Sequence, residues 1–264
     1  MDHAEESQRV LREAIAVLYD VFARYPLRDW TDPCSHCHTE DDEQVLRRAP
    51  LRELTCEDLQ WYTAESLMLW GDLADLKHFL PRILEIAATE GFDFPDVEVV
   101  YGHLAYGSFA TWPTSERSAV RNLAMAHWRT ALAEGADLVY FEPVLAGVML
   151  IEDDLAPYLA YWERSDDAVT LANLAEYARE IRRIRDGERG WNAYLAVEQP
   201  HGPFGAARPG PGQVVDWLTG PDLAVRLTAR RGTLTSPQAE VALEEALRAI
   251  ADPSAEPPHR PRPG

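Results

Sequence analysis

A chain of 264 residues with 46% apolar residues and eight Trp can bury a full core, which excludes global disorder. Its formal charge of −19 disfavours nucleic acid and anionic membranes as partners, because phosphate contacts need concentrated Lys and Arg. Such acidity suits a basic protein partner instead, or simply keeps the chain soluble. No apolar run approaches the ~20 residues that span a bilayer, and Arg12, Glu13 and Asp20 interrupt the first apolar positions. That beginning reads as an amphipathic helix and not a leader, so a cytoplasmic, thiol-reducing setting is expected.

Val10, Leu11, Ile15, Leu18, Val21 and Phe22 recur at helical spacing until Pro26 ends the segment. A polar loop, Leu27 to Pro33, follows. Thr39 with Asp42 and Thr55 with Asp58 are capping-box pairs, predicting helices to Arg48 and to about Trp70. Gly71-Asp72 is a turn, and a helix starts at Leu73 with Pro81 as a kink or a second start. Further helices are expected over 96–109, after the Trp112–Ser115 turn and N-cap through Ala133, and over 142–151, 154–164 and 167–185. Gln199 to Gly212 is a Pro/Gly-rich internal loop. Helices over 213–230 and 237–251 close the fold before a disordered tail at 252–264. Only Val97–Val100 and Leu138–Phe141 lean towards strand.

These elements predict an all-α domain over residues 1–251. Helix starts near Thr55, Pro95 and Asp137 lie about 40 residues apart, in the range of HEAT-like antiparallel pairs. No residue signature repeats between them, so an irregular helical array describes the pattern equally well.

All three cysteines fall within 23 positions: Cys34, Cys37 and Cys56, with His36 and His38 interleaved. Cys-x-x-Cys on a turn is half of a tetrahedral zinc site, a knuckle. Cys56 adjoins a helix N-terminus that favours a thiolate, and His38, His36 or His78 can supply a fourth ligand. The expected set is Cys34, Cys37, Cys56 and one of His38 or His78 around a structural zinc. Three other readings compete. The Cys-x-x-Cys-His string is also the haem c attachment pattern, which calls for export. A redox dithiol is usually found beside a βαβ unit, and incidental thiols need no partner at all.

Asp75, His78 and Arg82 are spaced to share a helix face, which suggests an orienting carboxylate–imidazole pair and an alternative zinc-dependent hydrolase site. The plainer reading leaves Lys77, the chain's one lysine, solvated with Arg82 and Glu85. Trp112 and Trp128 read as core anchors, and Asp153-Asp154 and Asp166-Asp167 as helix caps. The sequence contains no phosphate-binding Gly-rich loop, nucleophile elbow or His-Glu-x-x-His.

Cys34-x-x-Cys37, Leu51-Arg52-Glu53-Leu54-Thr55, Trp70-Gly71-Asp72, His78 through Glu85, Trp112-Pro113 with Glu116, and Val215-Asp216-Trp217-Leu218 occur in that order. The string resembles a family of uncharacterised bacterial proteins over roughly Tyr25 to Ile250. The resemblance implies a shared fold that includes the Cys pair, without a substrate, activity or catalytic role. The combined expectation is an interaction scaffold held by zinc, with the hydrolase and a redox-responsive Cys-x-x-Cys regulator as alternatives.

Overall fold

The computed structural model describes residues 3–29, 31, 34–134, 138–185 and 209–252. Among them the chain is all-α, with twelve helices and no strand. In α1 (His3–Phe22) the stripe Leu11, Ile15, Leu18 and Phe22 is buried, and the helix packs along α4 and α6. Both predicted capping boxes form, Thr39 with Asp42 at α2 (Glu40–Val45) and Thr55 with Asp58 at α3 (Cys56–Glu65). A third, Asp72 with Asp75, opens α4 (Leu73–Thr89). Each such cap stabilises its helix by about 1 kcal/mol. Pro81 does not divide α4, which runs unbroken on both sides of it.

The remaining helices are α5 (Val97–Tyr106), α6 (Thr114–Glu134), α7 (Leu138–Ile151), α8 (Ala156–Arg164), α9 (Ala168–Arg185), α10 (Gly210–Thr219), α11 (Pro221–Thr228) and α12 (Pro237–Ala251). Both strand-leaning runs are helical, because Val100 and Phe141 gain more from burial in a helix–helix contact than β propensity offers. The segment expected as one helix over 213–230 is two, divided at Gly220-Pro221. Asp154 and Asp167 accept backbone N–H bonds at the starts of α8 and α9, as caps do. Residues 199–208 of the expected Pro/Gly-rich loop and 253–264 of the expected tail lie outside the described residues; 209–212 belong to the opening of α10.

The broadest packing joins α1 to α6, α5 to α7 and α9 to α12. These partners are not consecutive in the chain, so the contacts do not show a HEAT-like stack, in which each pair meets its neighbours. Buried apolar residues from Leu11 to Ile250 form one connected cluster. At its centre Trp162 meets Trp128 and Phe141 edge-on, with ring centroids 5.2 and 5.1 Å apart. Where α5 crosses α7 the approach is close enough that a Cβ on Gly147 would lie 2.5 Å from Cδ2 of the buried Tyr101. No helix among the described residues is long and apolar enough to cross a membrane.

Lys77 is not on a solvated face. Its side chain is buried, with Nζ 2.8 Å from Oε2 of Glu116 and 4.3 Å from the ring centre of Trp112. Tyr25 Oη donates to Glu116 Oε1 (2.6 Å), and Arg24 pairs with the same carboxylate from the surface. This cluster ties α4 to α6 and to the chain leaving α1.

Candidate functional site: the cysteine turn

From Cys34 the backbone makes a tight turn: the N–H groups of Cys37 and His38 both donate to the Cys34 carbonyl at 3.0 Å. Ser35, His36 and Cys37 are exposed at its tip, and Cys34 is half-buried behind them. The Cys34 N–H donates to the Leu69 carbonyl (2.8 Å), docking the turn against the chain that follows α3.

Neither cysteine is in a disulfide, and each thiol alters the acidity of the other. The backbone N–H of His36, the Cys37 S–H and the Cys37 N–H converge on the Cys34 sulfur and lower its pKa. Cys37, donating to that sulfur and lying beside its negative charge, has its own pKa raised. The two thiols are therefore unequal, Cys34 the more acidic and Cys37 the less.

Glu43, on α2 and almost wholly buried, holds both flanks of the turn. Its carboxylate accepts from the Thr31 backbone N–H (3.1 Å) and hydroxyl, from Trp70 Nε1 (3.3 Å) and from Arg47 (2.6 Å). Trp70 also donates to Thr31 Oγ1 (2.8 Å), and the His38 ring lies over the indole with centroids 4.2 Å apart. Nε2 of His38 bonds to Glu65, the last residue of α3.

The helix expected to reach Trp70 stops at Glu65 because Leu67 is left-handed, with φ of +67°. A non-glycine residue there costs about 1–2 kcal/mol. The Glu65 carbonyl offsets part of this by accepting N–H bonds from Met68 (3.1 Å), Leu69 (2.9 Å) and Trp70 (3.2 Å). Leu67 itself is tucked against Gly107, while Met68 and Leu69 face water.

The other candidate residues are elsewhere. Cys56 begins α3 and Glu65 ends it, about 13 Å away at 1.5 Å per residue. Burial raises the Cys56 thiol, against the expectation that the helix end would favour its thiolate. His78 shares a proton between Nδ1 and the Tyr25 carbonyl (2.8 Å); a carbonyl only accepts, so Nδ1 is the protonated nitrogen. Its ring lines a separate cleft of about 450 Å³ with Tyr19, Arg52 and Pro81. Asp75 is taken up by Arg28 (2.7 Å) and the Asp72 N–H (2.9 Å), not by His78. Arg82 donates to the Leu54 carbonyl (2.7 Å) and pairs with Glu85 and Glu90. Among the described residues no three His, Cys, Asp or Glu side chains converge as a metal site would need.

No protein-family model, curated protein or solved structure matches the chain. Chemistry must therefore be read from the turn itself. Paired thiols of unequal acidity, one exposed, can surrender two electrons and two protons to form a disulfide. Glu65 and Leu69, which position the turn, escaped the sequence reading because the helix appeared to run past both. The Trp70-Gly71-Asp72 string was the one visible mark of that stop.

Proposed function

We propose that Cys34 and Cys37 form a redox-active dithiol and that the chain is a thiol-responsive regulator. The observation that carries this reading is the closed turn, with the Cys37 N–H on the Cys34 carbonyl at 3.0 Å, that sets an exposed thiol close behind the more acidic Cys34. A more acidic attacking thiol beside a less acidic resolving thiol is the arrangement that thiol–disulfide exchange uses. The βαβ setting usual for such dithiols is replaced here by a loop clamped through Glu43 and Trp70.

Titrating the full chain against reduced and oxidised dithiothreitol, with mass mapping of unreacted thiols, tests this. One intrachain Cys34–Cys37 disulfide is expected, with Cys56 left as a free thiol. Cys37→Ala removes a donor to the Cys34 sulfur and should shift the pH profile of Cys34 alkylation upward, while Cys37→Ser shifts it less. A pair that stays reduced throughout that titration overturns the reading.

Amide-to-sulfur bonds also favour a second reading, the zinc-held scaffold, because knuckle turns hold their thiolates in the same way. It requires two more ligands to reach Cys34 and Cys37, one of which His38 can supply through Nδ1 while Nε2 stays on Glu65. Stoichiometric zinc in protein purified without added metal, with unfolding on chelation, would establish it.

A further inference from the structure

Three large apolar side chains near the cysteine turn are left in water: Trp61 is 55% exposed, Met68 37% and Leu69 45%. Trp61 stands one helical turn before Glu65, the residue bonded to His38, so the two share a face of α3. Met68 and Leu69 sit on the left-handed turn whose Leu69 carbonyl receives the Cys34 N–H. A strained turn that tucks Leu67 inward and holds two apolar neighbours outward is costly unless the display serves something.

Carboxylates border the turn, and the nearby Arg47 is taken up by the buried Glu43. Glu40, Asp41 and Asp42 are exposed in the first turn of α2, within five residues of Cys37, and Glu65 acts electrostatically on both thiols. A partner approaching Cys34 therefore meets an apolar ledge bordered by carboxylates. Anionic thiol compounds are repelled there, and basic segments are drawn in.

We infer that Trp61, Met68 and Leu69 form the docking ledge for a basic, apolar protein segment that carries the disulfide exchanging with Cys34–Cys37. The inference rests on the dithiol reading. In the exchange the Cys34 thiolate attacks one sulfur of the partner's disulfide, that S–S bond breaks, and the other partner sulfur leaves as thiolate. Cys37 then gives up its proton and attacks the Cys34 sulfur of the mixed disulfide. The Cys34–Cys37 bond forms and the second partner thiolate departs. The protons released by the dithiol balance those taken up by the partner's two thiolates. The dithiol loses two electrons and the partner disulfide gains them.

Four disulfides presented to the reduced full chain test the ledge: cystamine (cationic), oxidised glutathione (anionic), and two disulfide-looped peptides of equal positive charge, one rich in Leu and one rich in Ser. At low salt cystamine should oxidise the pair at least about tenfold faster than glutathione disulfide, with the ratio collapsing in high salt. The Leu peptide should outpace the Ser peptide several-fold. Met68→Ser combined with Leu69→Ser should erase that peptide preference while the cystamine rate stays unchanged, which also shows the variant to be folded. A peptide preference that survives in the variant overturns the ledge, and so does equal reactivity of cystamine and glutathione disulfide. A change from dimer to monomer in that variant, seen by light scattering, also overturns it, since the ledge would then be a self-contact. If the pair cannot be oxidised even by oxidised dithiothreitol, the dithiol reading itself fails, and that result is distinct from the others.

Discussion

Nζ of Lys77 lies 2.8 Å from Oε2 of Glu116 with both side chains withdrawn from water. The carboxylate has further partners in Tyr25 and Arg24, whereas among the described residues the ammonium's other polar contact is Tyr25 Oη at 3.3 Å. The pair is therefore lopsided. Glu116→Ala strands a buried cation and should cost about 3–5 kcal/mol in urea unfolding. Lys77→Met leaves Glu116 still bonded and should cost about 1–2 kcal/mol. Combining Lys77→Met with Glu116→Leu should be less damaging than Glu116→Ala alone. Equal costs for the two single changes would contradict this asymmetry.

Acid should weaken the fold through two histidines. Burial lowers His103 and His127 to about 4, so both are neutral in the folded protein. In the unfolded chain they bind protons below about 6.5. Their stabilisation is thus complete above that value and is lost as pH falls from 6.5 towards 4, at up to about 1.4 kcal/mol per pH unit for each. Burial raises the Glu134 and Glu152 carboxyls, which offsets part of the loss. The comparison therefore rests on a difference: His127→Gln should make the urea midpoint fall less steeply than wild type between pH 6 and 4. Parallel profiles would rule this out.

Gly147 sets two effects against each other. Alanine is the better helix former by about 1 kcal/mol. Its Cβ would, however, lie 2.5 Å from the Tyr101 ring, and Tyr101 is fully buried, so the ring cannot swing away. Overpacking of this kind costs about 1–3 kcal/mol. Gly147→Ala should therefore lower stability by about 1 kcal/mol, and should become neutral or favourable once Tyr101→Leu has made room. A gain in the wild-type background would mean that α5 and α7 can separate freely.

Helices announced by caps and apolar periodicity were legible from sequence, as α1, α4, α6 and α12 show, because those signals are local. What sequence could not convey were the stops and the partners. Leu67 carries no mark of a left-handed residue; its conformation is imposed by packing against Gly107 and by the Glu65 carbonyl. Lys77 and His78 are adjacent in α4, yet one turns inward to Glu116 on α6 and the other towards the chain leaving α1. The Cys pair was visible, but the separation of Cys56 from it depends on which end of α3 faces the turn. Spacing along a chain does not encode that.

The burial of Lys77 has a practical consequence. It is the sole lysine in these 264 residues, so the folded surface they form offers no ε-amino group to acylating reagents or lysine-directed tagging enzymes. Arginine supplies every other strong base on that surface and is inert to the same chemistry. Covalent marking of Lys77 would thus record how often α4 and α6 part, making the chain its own gauge of opening.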